Sequence, residues 1–227
     1  MEKVFKQIDG LLARSEEVVS KSRQEKIKLY SEGLKTKLSQ VQYALARLES
    51  FNNRTDDMES TTDKDDASIT QKVNFYCDTF WTFLYSSLDV LSQIINQALK
   101  LGLDEENVKF KSVEGKLQGN AHKSLSVAKK YSECRNSHCY SNLDKYRNCS
   151  IHRRQIFIVE TITKQKTTPG YSTASEITTV TRFLCDDPLT VKPKINQNRD
   201  IPKYMVDTKE KVIKHIETIL EETQPIK

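Results

Sequence analysis

Val73-Asn74-Phe75-Tyr76-Cys77-Asp78-Thr79-Phe80-Trp81-Thr82-Phe83-Leu84-Tyr85-Ser86-Ser87-Leu88-Asp89-Val90-Leu91-Ser92-Gln93-Ile94-Ile95-Asn96-Gln97-Ala98-Leu99 is the stretch on which the fold turns. Its apolar positions are Val73, Tyr76, Phe80, Trp81, Phe83, Leu84, Leu88, Leu91, Ile94, Ile95, Ala98 and Leu99. They recur at helical spacing and cover a wide face. A helix so broadly apolar belongs at the centre of a bundle, with neighbours on more than one side. Burial, rather than a stacking surface, accounts for its aromatic cluster. Ser86, Ser87, Asp89, Ser92, Gln93, Asn96 and Gln97 interrupt it. It therefore falls short of the roughly 18 apolar residues of a membrane span. Gly102 supplies the stop.

Working outward, Val4, Phe5, Ile8, Leu11, Leu12, Val18 and Val19 predict a helix over Glu2 to Ser20. A longer one follows from Arg23 to Asn52, its stripe running Ile27, Tyr30, Leu34, Leu38, Val41, Leu45, Leu48, Phe51. Downstream, 104–119 is ambiguous, and Ala121 to Ser132 and Ser137 to Arg147 read as two shorter helices. Then the period changes. Residues 155–163 and 176–184 are rich in β-branched side chains, with Pro169-Gly170 between them, which predicts a β-hairpin. Pro188, Pro193 and Pro202 read as an extended connector, and Asp207 as the N-cap of a last helix to Thr223. The expected architecture is mainly α, one domain over 1–227: a helical bundle with an inserted two-stranded β-hairpin near the C-terminus. Its segments are N-terminal helices (1–53), an acidic loop (54–67), core helices (68–154), the hairpin (155–186), a connector (187–206) and a C-terminal helix (207–223). Only 6 Gly and 5 Pro occur in 227 residues, which favours long helices over a turn-rich β fold.

Met1 to Phe5 lacks the apolar core of a signal peptide. With no membrane span, the expectation is a soluble cytoplasmic protein whose five cysteines are reduced. The net charge of +5 is unevenly spread. Residues 54–66 hold six acids against two bases, whereas 122–154 hold eight bases against Glu133 and Asp144. Such a basic excess either attracts a polyanion or is a solvated surface.

Inside that basic segment lies Tyr146-Arg147-Asn148-Cys149-Ser150-Ile151-His152. An arginine, an amide and an imidazole can together bind a phosphate and move a proton near neutral pH. On a continuous helix, positions five apart point about 140° from one another. Arg147 and His152 therefore converge only if the helix breaks at Asn148-Cys149-Ser150, three weak helix formers. They could equally cap a helix C-terminus.

Arg147, Asn148 and His152, at the end of a helix in an all-α bundle, resemble the Arg-Asn-x-x-x-His motif of the HEPN superfamily. The strands and return helix look like a bacterial branch of it with unassigned function. The resemblance covers about Ser68 to Arg154 and the flanking helices, and does not explain the hairpin. It implies a metal-independent endoribonuclease, a homodimer with two motifs facing one cleft. Arg147, Asn148 and His152 would be catalytic, and Lys145, Arg153 and Arg154 would contact the nucleic acid. It equally implies a non-catalytic module binding RNA, nucleotide or protein, within a toxin–antitoxin or defence system and with an antitoxin-like partner. Both readings stand at this level.

Cys134, His138, Cys139, Cys149 and His152 lie within nineteen positions. Their spacing fits no common zinc template, and small buried cysteines are the default, so no metal site is assigned. His215 reads as a packing residue. Without a glycine-rich phosphate loop, no cofactor is expected.

Overall fold

The computed structural model describes residues 1–52, 69–119, 122, 125–152, 158–167, 176–186 and 195–226. For 52, 69–70, 150–152 and the strands, only the backbone is described. The acidic segment, the hairpin tip, Pro188, Pro193, Arg153 and Arg154 lie outside the described residues.

The helices are α1 (Glu2–Glu16), α2 (Lys21–Asn52), α3 (Ile69–Ala98), α4 (Phe110–Leu117), α5 (Ser126–Arg135), α6 (His138–His152) and α7 (Ile201–Glu222). The strands are β1 (Ile158–Thr167), β2 (Glu176–Asp186) and β3 (Ile195–Asp200). The chain forms two compact units. One comprises Met1–Val41, Trp81–Asp144 and Thr208–Lys227; the other comprises Gln42–Phe80 and Lys145–Asp207.

In the first unit the apolar stripe of α3 is the core. Trp81, Leu84, Leu91, Ile94 and Ile95 are fully buried, as are Ile8 and Leu11 of α1, Leu34 and Leu38 of α2, and Ile216 and Ile219 of α7. Each such side chain contributes about 1.5–3 kcal/mol. Phe110 of α4 stacks on Tyr131 at 4.5 Å and on Tyr140 at 5.3 Å, and the Arg135 guanidinium lies 4.6 Å from the Tyr140 ring. The Tyr131 hydroxyl keeps a partner, Ser92 Oγ, at 3.0 Å. Burial pushes that phenol's pKa up, so it remains a neutral hydrogen-bonding group.

Helix ends leave carbonyls without intrahelical partners, and side chains from elsewhere satisfy several here. Arg23 donates to Gln97 O at 2.9 Å and Ala98 O at 3.2 Å, closing α3. Arg14 donates to Leu220 O at the end of α7, and Gln24 to Glu16 O at the end of α1. The stop of α3 differs from expectation. The first left-handed residue is Lys100, at φ 50°, and the Leu101 amide returns to Asn96 O at 3.1 Å. Gly102, at φ 69°, makes the second left-handed step. Asn96, 3% exposed, clamps the turn by bonding both the carbonyl and the amide of Leu103. The ambiguous stretch resolves into a short 3-10 turn, Glu105–Asn107, followed by α4. Asp89 of α3 accepts the Phe110 amide at 3.0 Å and so caps α4.

In the second unit, Leu45, Leu48, Val73, Cys77 and Phe80 are buried along α2 and α3. The sheet has order β1-β2-β3, all antiparallel, with Val159 opposite Leu184 and Thr163 opposite Val180. Two corrections follow. The ribbon has three strands rather than two, because 195–200, read as connector, pairs with β2 from Leu184↔Asp200 to Asp186↔Ile195. In addition, α7 begins at Ile201, not at Asp207. Pro202 lies in its first turn, where a missing N–H costs nothing and the fixed φ suits a helix.

Candidate functional site

The candidate site sits on α6, and the start of that helix is set locally. Ser137 Oγ accepts the Tyr140 amide at 3.2 Å, a side-chain N-cap, and donates to Cys134 O at 2.6 Å. From there Tyr140, Leu143, Tyr146 and Cys149 are buried at steps of three. Arg147 and Asn148, half-buried, flank that stripe. In the second unit Tyr146 packs against Tyr204 of α7 with ring centroids 5.8 Å apart.

Arg147 Nη1 donates to Asn148 Oδ1 at 2.9 Å. This fixes both side chains next to one another, with the amide holding the guanidinium. The break at Asn148-Cys149-Ser150 that convergence would need is absent, since α6 runs through His152. Weak propensities cost only about 0.7 kcal/mol per residue or less. Burial of Tyr146 and Cys149, 1% and 0% exposed, outweighs that. On a regular helix positions 147 and 152 lie about 140° apart around the axis. The motif of one chain thus brings Arg147 to Asn148; the His152 side chain is outside the described residues. Lys145 is half-buried at the same helical end.

The sulfur ligands that the sequence offers are buried: Cys134 1%, Cys139 7% and Cys149 0% exposed. Cys139 Sγ lies 3.1 Å from Ser137 Oγ. Burial, above all, pushes the Cys134 thiol's pKa up, which favours the neutral form over a metal-ready thiolate. Among the described residues no three His, Cys, Asp or Glu side chains gather as a metal set. Nor, among them, is any helix long and apolar enough to cross a membrane.

One feature escaped the sequence reading. Phe75 and Tyr43 are 65% and 54% exposed, the former on the helix whose aromatic cluster reads as buried and whose apolar face does not include it. Its signal was available: Phe75 lies off the stripe of Val73, Cys77 and Phe80, and Tyr43 lies off that of Val41, Ala44, Leu45 and Leu48.

A family model described as Cthe2314-like HEPN matches residues 30–219. That span contains all of α3 to α6, α7 as far as residue 219, the whole motif and the three strands, so the sheet lies within the matched region. No curated protein and no solved structure matches the chain.

Proposed function

The chain belongs to the Cthe2314-like HEPN family, and from that premise we propose that it acts on RNA as a metal-independent endoribonuclease, with a composite site built by two copies. The observation that carries this reading is the Arg147–Asn148 pair at 2.9 Å on an unbroken α6. On a continuous helix positions 147 and 152 lie about 140° apart around the axis, whereas two copies facing each other would supply Arg147 from one and His152 from the other.

In such a site neutral His152 takes the proton of a ribose 2′-hydroxyl. The 2′-oxygen attacks the adjacent phosphorus while the 5′-oxygen leaves and takes up a proton from water. Arg147 stabilises the charge developing on the phosphoryl oxygens. Asn148 orients the guanidinium, and Lys145, Arg153 and Arg154 hold the flanking phosphates. The products are a 2′,3′-cyclic phosphate and a 5′-hydroxyl.

A second reading is a non-catalytic module that binds RNA, nucleotide or a protein partner. The hydrogen bond between Arg147 and its own neighbour favours it, because a guanidinium so engaged also suits a structural role at the end of α6. Incubation with RNA in excess chelator separates the two. Wild type is expected to cleave, with His152→Ala and Arg147→Ala each slower by at least about a hundredfold. Equal cleavage by wild type and His152→Ala, or none by wild type on varied RNAs, sinks the nuclease.

A further inference from the structure

In the second unit, four aromatic rings gather on α2 and α3. Tyr76 stands at the centre: Phe75 meets it edge-on at 5.4 Å, Tyr43 edge-on at 6.2 Å, and Phe51 at 6.1 Å. Phe51 is buried, whereas Phe75 and Tyr43 are mostly exposed. The exposed Arg47, one turn after Tyr43, lies 5.3 Å from its ring and donates from Nε to Tyr43 Oη at 3.0 Å. That bond is also the first cause lowering the phenol's pKa. The group is thus preformed: the rings brace one another, and the guanidinium is held over one of them.

Core packing does not require this arrangement. Leu45, Leu48, Val73 and Cys77 provide the buried faces of the same helices. Two large aromatic surfaces are instead kept in water, one of them, Tyr43, beside a cation. Ring faces and a guanidinium plane are what unpaired nucleobases stack on. Double-stranded RNA, its bases already stacked, offers nothing to such a surface. The surface also belongs to the same compact unit as Arg147, Asn148 and His152.

We infer that Tyr43, Arg47 and Phe75 form a stacking platform for the unpaired bases of single-stranded RNA. The inference rests on the reading of RNA as the ligand, though not on its cleavage. It deepens that reading by naming the substrate class as single-stranded. The acidic stretch 54–66 follows α2 directly in sequence, so charge does not recommend this surface to a polyanion. The rings do, and their contribution therefore changes little with salt, unlike that of phosphate contacts.

The test measures binding of full-length protein to 2′-O-methyl oligoribonucleotides of about 12 nucleotides, single-stranded and duplex. These cannot be cleaved through the 2′-oxygen. Single strands are expected to bind wild type more tightly. The Tyr43→Ala/Phe75→Ala variant should lose between about 5-fold and about 100-fold in single-strand affinity. Its duplex binding and melting temperature should not change, and the loss should be similar at about 50 and 200 mM salt. Phe75→Trp should retain affinity. Wild-type affinity for single strands in the double variant overturns the platform and leaves the RNA reading intact. Failure of wild type to bind either form removes the RNA reading and the platform with it. If the double variant changes only the concentration dependence of the protein's mass, the surface is an interface between copies and the inference is wrong.

Discussion

His215 of α7 shows how one side chain can report on the fold. It is half-buried, and burial pushes its imidazole pKa below the usual value. Lys130 and Lys214 push it the same way, while Glu133 opposes them. The folded state therefore favours the neutral ring, and the unfolded chain takes up a proton first. The stabilisation is complete above about pH 6.5 and is lost as pH falls through the lower folded value. Melting temperature should consequently drop more between pH 7 and pH 5 in wild type than in His215→Gln, where carboxylate titration is shared and the imidazole is gone. Parallel curves for the two proteins would remove His215 from the account. At the same scale, Arg147 and Asn148 were legible in the sequence as site candidates, but their mutual bond was not. Hydrogen bonding between adjacent residues leaves no periodic trace.

Among the elements, the α3–α4 junction is the clearest case of a local device. Asn96 uses both ends of its amide on Leu103 while nearly excluded from water. Truncation would leave the partly buried amide and carbonyl of Leu103 without this partner, so Asn96→Ala should cost about 1–3 kcal/mol in urea denaturation. A cost near zero would mean that water replaces the side chain. The stripes of α1, α2, α3 and α7 were readable because a 3.6-residue period over many turns is redundant. Single residues were harder. Pro202 reads equally as a connector and as the first turn of a helix, and only the buried Ile201 before it and Met205 after it favour the helix. Strand β3, Ile-Asn-Gln-Asn-Arg-Asp, has almost no β-propensity of its own. Its pairing with β2 is a tertiary fact that short-range pattern does not carry. The same holds for α6, whose weak formers at 148–150 permit a break that packing of its buried face overrides.

Over the whole molecule, several of the helices that build the core of the first unit also contribute to the second. Residues of α2, α3, α6 and α7 belong to both. The motif and the exposed rings both fall in the second unit, while the cysteines at 134 and 139 fall in the first. A family match over 190 residues, from 30 to 219, covers nearly all of this.

The unbroken α6 carries one more consequence, a genetic one. If catalysis draws Arg147 from one copy and His152 from another, Arg147→Ala and His152→Ala proteins are each inactive alone. Mixed under conditions that exchange subunits, they should regain cleavage, because a hybrid pair still holds one intact arginine facing one intact histidine. A site assembled within a single chain could never be repaired by mixing. The continuity of one helix thus bears on whether two broken alleles can complement each other.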